Sequence, residues 1–185
     1  MKKLLLVPAL VLVTSYVSAT PITCGGADRI ATLDSATECM TGTGNTLGNG
    51  STINTHYGPT WSGVGSLTGN GNSGYLTSTL TSGSWGGTSV EGTWVIDNSF
   101  WDVFAEAVVS IHVGNGGGDP DHFAWLITDN ETSGTWSYDK LQRGGGGLSN
   151  MKLWGRGVAT KVSEPGTLAL LSLGIIGFVL SRRKA

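Results

Sequence analysis

Short runs of alternating apolar and polar residues dominate the second half of the chain. Ala105, Ala107, Val109, Ile111 and Val113 fall on one side of an extended backbone, and Glu106, Ser110 and His112 share the other with Val108. That period of two predicts a strand. Gly92-Thr-Trp-Val-Ile96, Phe123-Ala-Trp-Leu-Ile-Thr128, Gly134-Thr-Trp-Ser-Tyr138 and Leu148-Ser-Asn-Met-Lys-Leu-Trp154 read the same way. Phe100, Phe104, Ala107, Val108 and Ile111 also fit a helical stripe, which predicts a short helical turn near Trp101. Between the runs lie Gly114-Asn-Gly-Gly-Gly-Asp-Pro-Asp121, Asp129-Asn-Glu131 and Gly144-Gly-Gly-Gly147, residues that favour turns.

The first half is patterned more weakly. Cys39 to Val90 contains no Asp, Glu, Lys or Arg and is rich in Gly, Thr, Ser and Asn, which disfavours long helices. Disorder is the competing reading, but it is poor in aromatics. Here Tyr57, Trp61, Tyr75, Trp85 and Trp94 recur between turn residues, a strand signal. Asn45 to Ser51 and Leu67 to Ser73 resemble one another, but two imperfect copies do not make a repeat fold. The expected fold class is mainly β, an antiparallel β-sandwich or jelly-roll-like passenger.

Both ends read as targeting segments. Lys2 and Lys3 precede the apolar stretch Leu4 to Val13, and Val17-Ser18-Ala19 follows with small or apolar residues. This is the tripartite plan of a secretory signal peptide spanning residues 1–19, with cleavage after Ala19. The Sec export machinery and signal peptidase are the partners it implies. Export places Cys24 and Cys39 in an oxidising compartment, where a disulfide is the default and a pair of free thiols the alternative. At the other end, Ser163-Glu164-Pro165 leads into the apolar run Leu168 to Leu180 and then Arg182-Arg183-Lys184. A run of thirteen residues makes a short transmembrane helix, and the basic cluster keeps its far end cytoplasmic.

Glu164-Pro165, the short Leu-rich helix and the basic end together resemble the PEP-CTERM sorting signal of Gram-negative, exopolysaccharide-producing bacteria. Ser163 stands where the first Pro of that motif is usual. The resemblance implies recognition at Ser163, Glu164 and Pro165 by an exosortase, a membrane-embedded thiol protease. The protein would then be released or transferred from the inner membrane to the outer surface or extracellular matrix. It divides the chain into a signal peptide (1–19), a Gly-rich β passenger (20–161) and a sorting segment (162–185). The glycine- and tryptophan-bearing strands of the passenger look like the β-rich passengers common among such proteins.

Of 185 residues, 11 are Lys or Arg and 13 Asp or Glu. With the ends set aside, the passenger keeps six basic and twelve acidic groups, a charge of 6 − 12 = −6, which argues against nucleic-acid binding. Asp119 and Asp121 follow a run of glycines and form a calcium candidate, with an Asx-Pro turn as the alternative. His56, His112 and His122 are scattered and lack a zinc-binding helix motif. Glu91, Glu106 and Glu131 could in principle pair with Asp97, Asp102 or Asp129 as an acid and a base across a glycosidic bond, with chance pairs among twelve acidic residues as the alternative. No Gly-x-Ser-x-Gly elbow surrounds Ser66, Ser84 or Ser137. Trp61 and Trp85 lie in the uncharged half and are the candidates for glycan contact, whereas Trp94, Trp125, Trp136 and Trp154 suit a core. The expectation is a non-enzymatic exported surface or matrix protein associated with exopolysaccharide, without a cofactor. The alternative is a small secreted carbohydrate-binding or carbohydrate-active protein on a jelly-roll scaffold.

Overall fold

The computed structural model describes residues 20–44, 50–114, 117–142 and 145–159. The first sheet contains β1 (Ile22–Gly25), β2 (Arg29–Leu33), β5 (Gly71–Ser73), β6 (Leu76–Ser82), β7 (Ser89–Ile96) and β10 (Ser133–Lys140), in the order β1-β2-β10-β7-β6-β5. The second contains β3 (Ala36–Gly42), β4 (Ser62–Leu67), β8 (Glu106–Val113), β9 (His122–Ile127) and β11 (Leu148–Arg156), in the order β3-β9-β8-β11-β4. Every pairing is antiparallel. β2 and β3 fall in different sheets, as do β7 and β8, and β9 and β10. The chain thus crosses repeatedly between layers, which bears out the antiparallel sandwich expected from the sequence.

The two inner faces meet in one core. Ala31, Leu33, Trp94, Ile96, Trp136 and Tyr138 come from the first sheet, and Val109, Ile111, Val113, Phe123, Trp125 and Leu153 from the second. The alternation read in residues 105–113 is realised, since Ala107, Val109, Ile111 and Val113 all enter this core. The turn anticipated near Trp101 is a 3-10 turn over Asn98–Asp102, started by Asp97, whose carboxylate accepts from the Ser99 amide. It buries Phe100.

The stretch 39–90 is less strand-like than its composition suggests. It holds β4, β5 and β6 together with a short helix α1 (Ser51–Tyr57). Ser, Thr and Asn give this helix little intrinsic propensity, and seven residues are too few to hold one in water. Packing supplies the difference. Ile53 and Tyr57, one turn apart, are buried with Trp61, Met40, Val108, Ala124 and Trp154 in a second cluster on the outer side of the second sheet. Gly50 precedes the helix at φ 75, and a Cβ there would sit 2.8 Å from the Trp154 ring. Only glycine meets both demands. Trp154 therefore belongs to this outer cluster rather than to the space between the sheets.

Cys24 and Cys39 form a disulfide with Cα atoms 6.0 Å apart, joining edge strand β1 of one sheet to edge strand β3 of the other. Ala19, Ser163, Glu164, Pro165, Arg182, Arg183, Lys184 and the apolar run before them lie outside the described residues. Among the described residues no helix is long and apolar enough to cross a membrane.

The cross-sheet bond closes a loop of 15 residues, worth about 3 kcal/mol in the chain-entropy model. Thiol titration of the denatured, unreduced protein should find no free sulfhydryl. A Cys24→Ala/Cys39→Ala variant should unfold at lower urea concentration by about that free energy.

Candidate functional site

The calcium candidate resolves into a structural ion pair. Arg29 opens β2, is 0% exposed, and points its guanidinium across one end of the sandwich. Its Nη1 donates to Asp121 Oδ1 at 2.7 Å and to the Pro120 carbonyl at 3.1 Å. Its Nη2 donates to the carbonyls of Gly145 at 2.8 Å and Gly114 at 3.4 Å. The remaining oxygen of Asp121 accepts from the Gly44 amide at 2.6 Å. Carbonyls and a carboxylate thus converge on a side-chain cation, in the way they would on a metal ion. Asp119 is exposed, and its backbone amide donates to Asp28 Oδ2 at 3.1 Å. The two aspartates do not share a centre, and among the described residues no group of three or more His, Cys, Asp or Glu could hold a metal.

Charge settles accordingly. Burial opposes the ionised form of Asp121, but the Gly44 amide, the hydrogen bond from Arg29 and the Arg29 charge outweigh it and hold its carboxyl below the usual range. His112 and His122 face each other across β8 and β9. His122 is 1% exposed, and its Nδ1 lies 3.3 Å from the Gly44 carbonyl. Among the described residues, its Nε2 and the Nδ1 of His112 have no hydrogen-bond partner. Burial pushes both imidazoles below their ordinary value. Asp121 counters it at both rings. Arg29 and Lys152 reinforce it at His112, and His112 reinforces it at His122. His56 stands apart on α1.

The tryptophans divide differently from the expectation. Trp61 was expected at the surface but is 5% exposed. The Arg156 guanidinium lies 4.5 Å above its ring, and its backbone amide donates to Asn54. Arg156 also donates to the Tyr57 carbonyl and makes a two-pronged ion pair with Glu106, at 2.7 and 2.6 Å. A stacked face with a cation already on it has no room for a sugar, so Trp61 is a packing residue. Trp85 is half-buried, tilted against Trp136 at 6.4 Å, with Nε1 donating to Asn70 at 2.9 Å. Trp94, Trp125 and Trp136 fill the core between the sheets as expected, whereas Trp154 is buried in the outer cluster.

Among the described residues, two concavities stand beside these groups. One, of about 560 Å³, runs along β4 and β11 beside Trp154, where Lys152 and the hydroxyls of Ser66 and Ser73 stand among bare glycine backbone. The other, of about 350 Å³, lies on the first sheet and includes Thr32, Glu91, Thr135 and Ser137. Each offers hydroxyl or ammonium groups, and Glu91 is the single carboxylate on either lining. The sequence did not single out Arg29 or Arg156. The available signal was their rarity, two of six basic residues in an acidic passenger.

Residues 161–184 match the family model of the PEP-CTERM protein-sorting motif. The motif supports export and membrane-associated sorting, with an exosortase as the processing partner. No curated protein and no solved structure matches the chain.

Replacing Arg29 by Met should cost about 3–5 kcal/mol, because Asp121 is then left charged in a buried site. Adding Asp121→Asn should recover part of that loss in a double-mutant cycle followed by urea unfolding. The His112 and His122 values are lower in the folded chain than in the unfolded one, so the unfolded state binds more protons below about pH 6.5. The urea midpoint should be flat above pH 7 and fall as the pH drops from about 6.5, with Asp121 adding a second loss near pH 4 and below.

Proposed function

We propose that the chain is a non-enzymatic protein of the cell surface or extracellular matrix that associates with exopolysaccharide once an exosortase has processed its tail. The observation that carries this reading is the sorting motif at residues 161–184. The passenger is exported through the Sec machinery, its signal peptide is removed after Ala19, and the inner membrane holds it only as a sorting intermediate. Recognition falls on Ser163, Glu164 and Pro165, with Arg182, Arg183 and Lys184 as the cytoplasmic stop.

The uses to which the acidic residues are put support a non-catalytic reading. Glu106 is paired with Arg156, and Asp121 with Arg29. Asp97 starts the 3-10 turn, Asp34 accepts from the Thr135 amide, and Asp139 accepts from Ser89. A glycosidase needs two carboxyl groups facing each other across a bond, about 5–9.5 Å apart. Glu91 lines the first-sheet concavity among hydroxyls, and Asp139, the outward acid diagonal to it in the strand register, accepts from the Ser89 hydroxyl.

Changing Glu164 and Pro165 to Ala should leave a chain that keeps its C-terminus and stays in the inner-membrane fraction. The unaltered protein should be recovered outside with residues 1–19 lost and a new end near Glu164-Pro165. Intact mass and terminal peptide sequencing distinguish the two, and normal maturation of the variant would overturn the sorting role of this motif.

A further inference from the structure

The two sheets differ in what covers them. The second sheet carries α1 and Trp61 on its outer side. The corresponding face of the first sheet is built from strand positions that alternate away from the core. On β7 these are Ser89, Glu91, Thr93 and Val95, and on β10 Ser133, Thr135, Ser137 and Asp139. Strand register brings the hydroxyls into rows. Thr23 pairs with Thr32, Thr32 with Ser137, and Ser137 with Glu91, so one row crosses four strands. A second row joins Thr135, Thr93 and Thr79, and a third joins Val95, Thr77 and Asn72.

Neighbouring rungs are already linked, with Thr32 and Ser137 2.8 Å apart and Asn72 donating to Thr77 at 3.0 Å. A hydroxyl has one proton to donate and two lone pairs to accept with, so these links hold the rungs in place without exhausting them. Strand spacing sets the pitch. Three inter-strand steps of about 4.8 Å make the first row roughly 14 Å long, the length of a short run of sugar rings.

Charge selects the occupant. The charged side chains at outward strand positions are Glu91 and Asp139, both acidic, so a polyanion is repelled. The outward apolar positions, Ile30 and Val95, are separate from one another, too little for an apolar partner. What matches is a neutral, hydroxyl-bearing polymer that can donate and accept at every step. We infer that the hydroxyl rows of the first sheet, centred on Thr32, Ser137, Thr93 and Thr79, bind a neutral polysaccharide laid across the strands. The inference rests on the polysaccharide association proposed above and adds to it the face and the charge class of the glycan. Each exchange of water for a sugar hydroxyl is nearly neutral, so binding depends on many equivalent contacts along one chain.

Affinity electrophoresis of the disulfide-bonded passenger through gels containing hydroxyethylcellulose, dextran or alginate tests this. A Thr32→Val/Ser137→Val/Thr79→Val/Thr93→Val variant keeps strand-forming side chains and loses four hydroxyls. Thr41→Val, on an edge strand of the other sheet, serves as control. The expected result is retardation by at least one neutral polymer, little by alginate, at least a fivefold weaker apparent affinity for the quadruple variant, and none of that loss in Thr41→Val. Circular dichroism and thiol titration establish that the variant is folded. Equal retardation of a folded quadruple variant, retardation by alginate alone, or inhibition of ice recrystallisation without glycan binding would each overturn the inference. Co-sedimentation with matrix from the producing cells separates the two levels. Wild type and variant sedimenting equally would overturn the face while leaving the matrix reading standing, and wild type failing to sediment would overturn the matrix reading itself.

Discussion

A single buried cation organises one end of this sandwich. Arg29 reaches from the first sheet to carbonyls and a carboxylate in the loops that leave or enter β8, β9 and β11 of the second. Gly44, just beyond β3, is held through both its amide and its carbonyl by Asp121 and His122. Loops this rich in glycine have high conformational entropy to lose, and little apolar surface with which to offset it. A charged group with several donors fixes them by direction rather than by burial. The cost is that both members of the pair must be present, since a lone buried charge is far worse than none.

The rest of the molecule follows from how the chain covers its sheets. Two sheets alone leave four faces. The inner two bury each other, and α1 with Trp61 and Arg156 buries part of a third. That leaves the first sheet as the solvent-facing layer, and its outward strand positions are accordingly threonine, serine and acid. β-branched threonine is also a strong strand former, so the composition that makes the face polar helps keep it extended.

The strands of the second half were legible because alternation survives wherever one face of a strand meets a core. Residues 105–113 showed it, and Val109, Ile111 and Val113 are buried as the pattern required. The disulfide was legible from its compartment and its pairing partner. α1 was not, because Ser51 to Tyr57 has helix-poor residues and only two apolar contacts, and its stability comes from Trp154, about a hundred positions away. Trp61 was misplaced for a related reason. Flanking glycines and missing charge suggested exposure, but the cation that covers its ring is supplied by Arg156 from the far end of the chain. The aspartates near Gly117 were legible as oxygen donors, while the identity of the cation they serve required Arg29, ninety-two positions from Asp121.

The position of β11 bears on how the fold closes. β11 is an inner strand, between β8 and β4, so the second sheet stays split in two until residues 148–156 have docked. Six residues separate Arg156 from Ser163, about 20 Å even when fully extended. The strand that completes the second sheet and the sorting segment are therefore close neighbours along the chain. β11 thus ties the closing of the second sheet to the stretch of chain that directly precedes the sorting motif at residues 161–184.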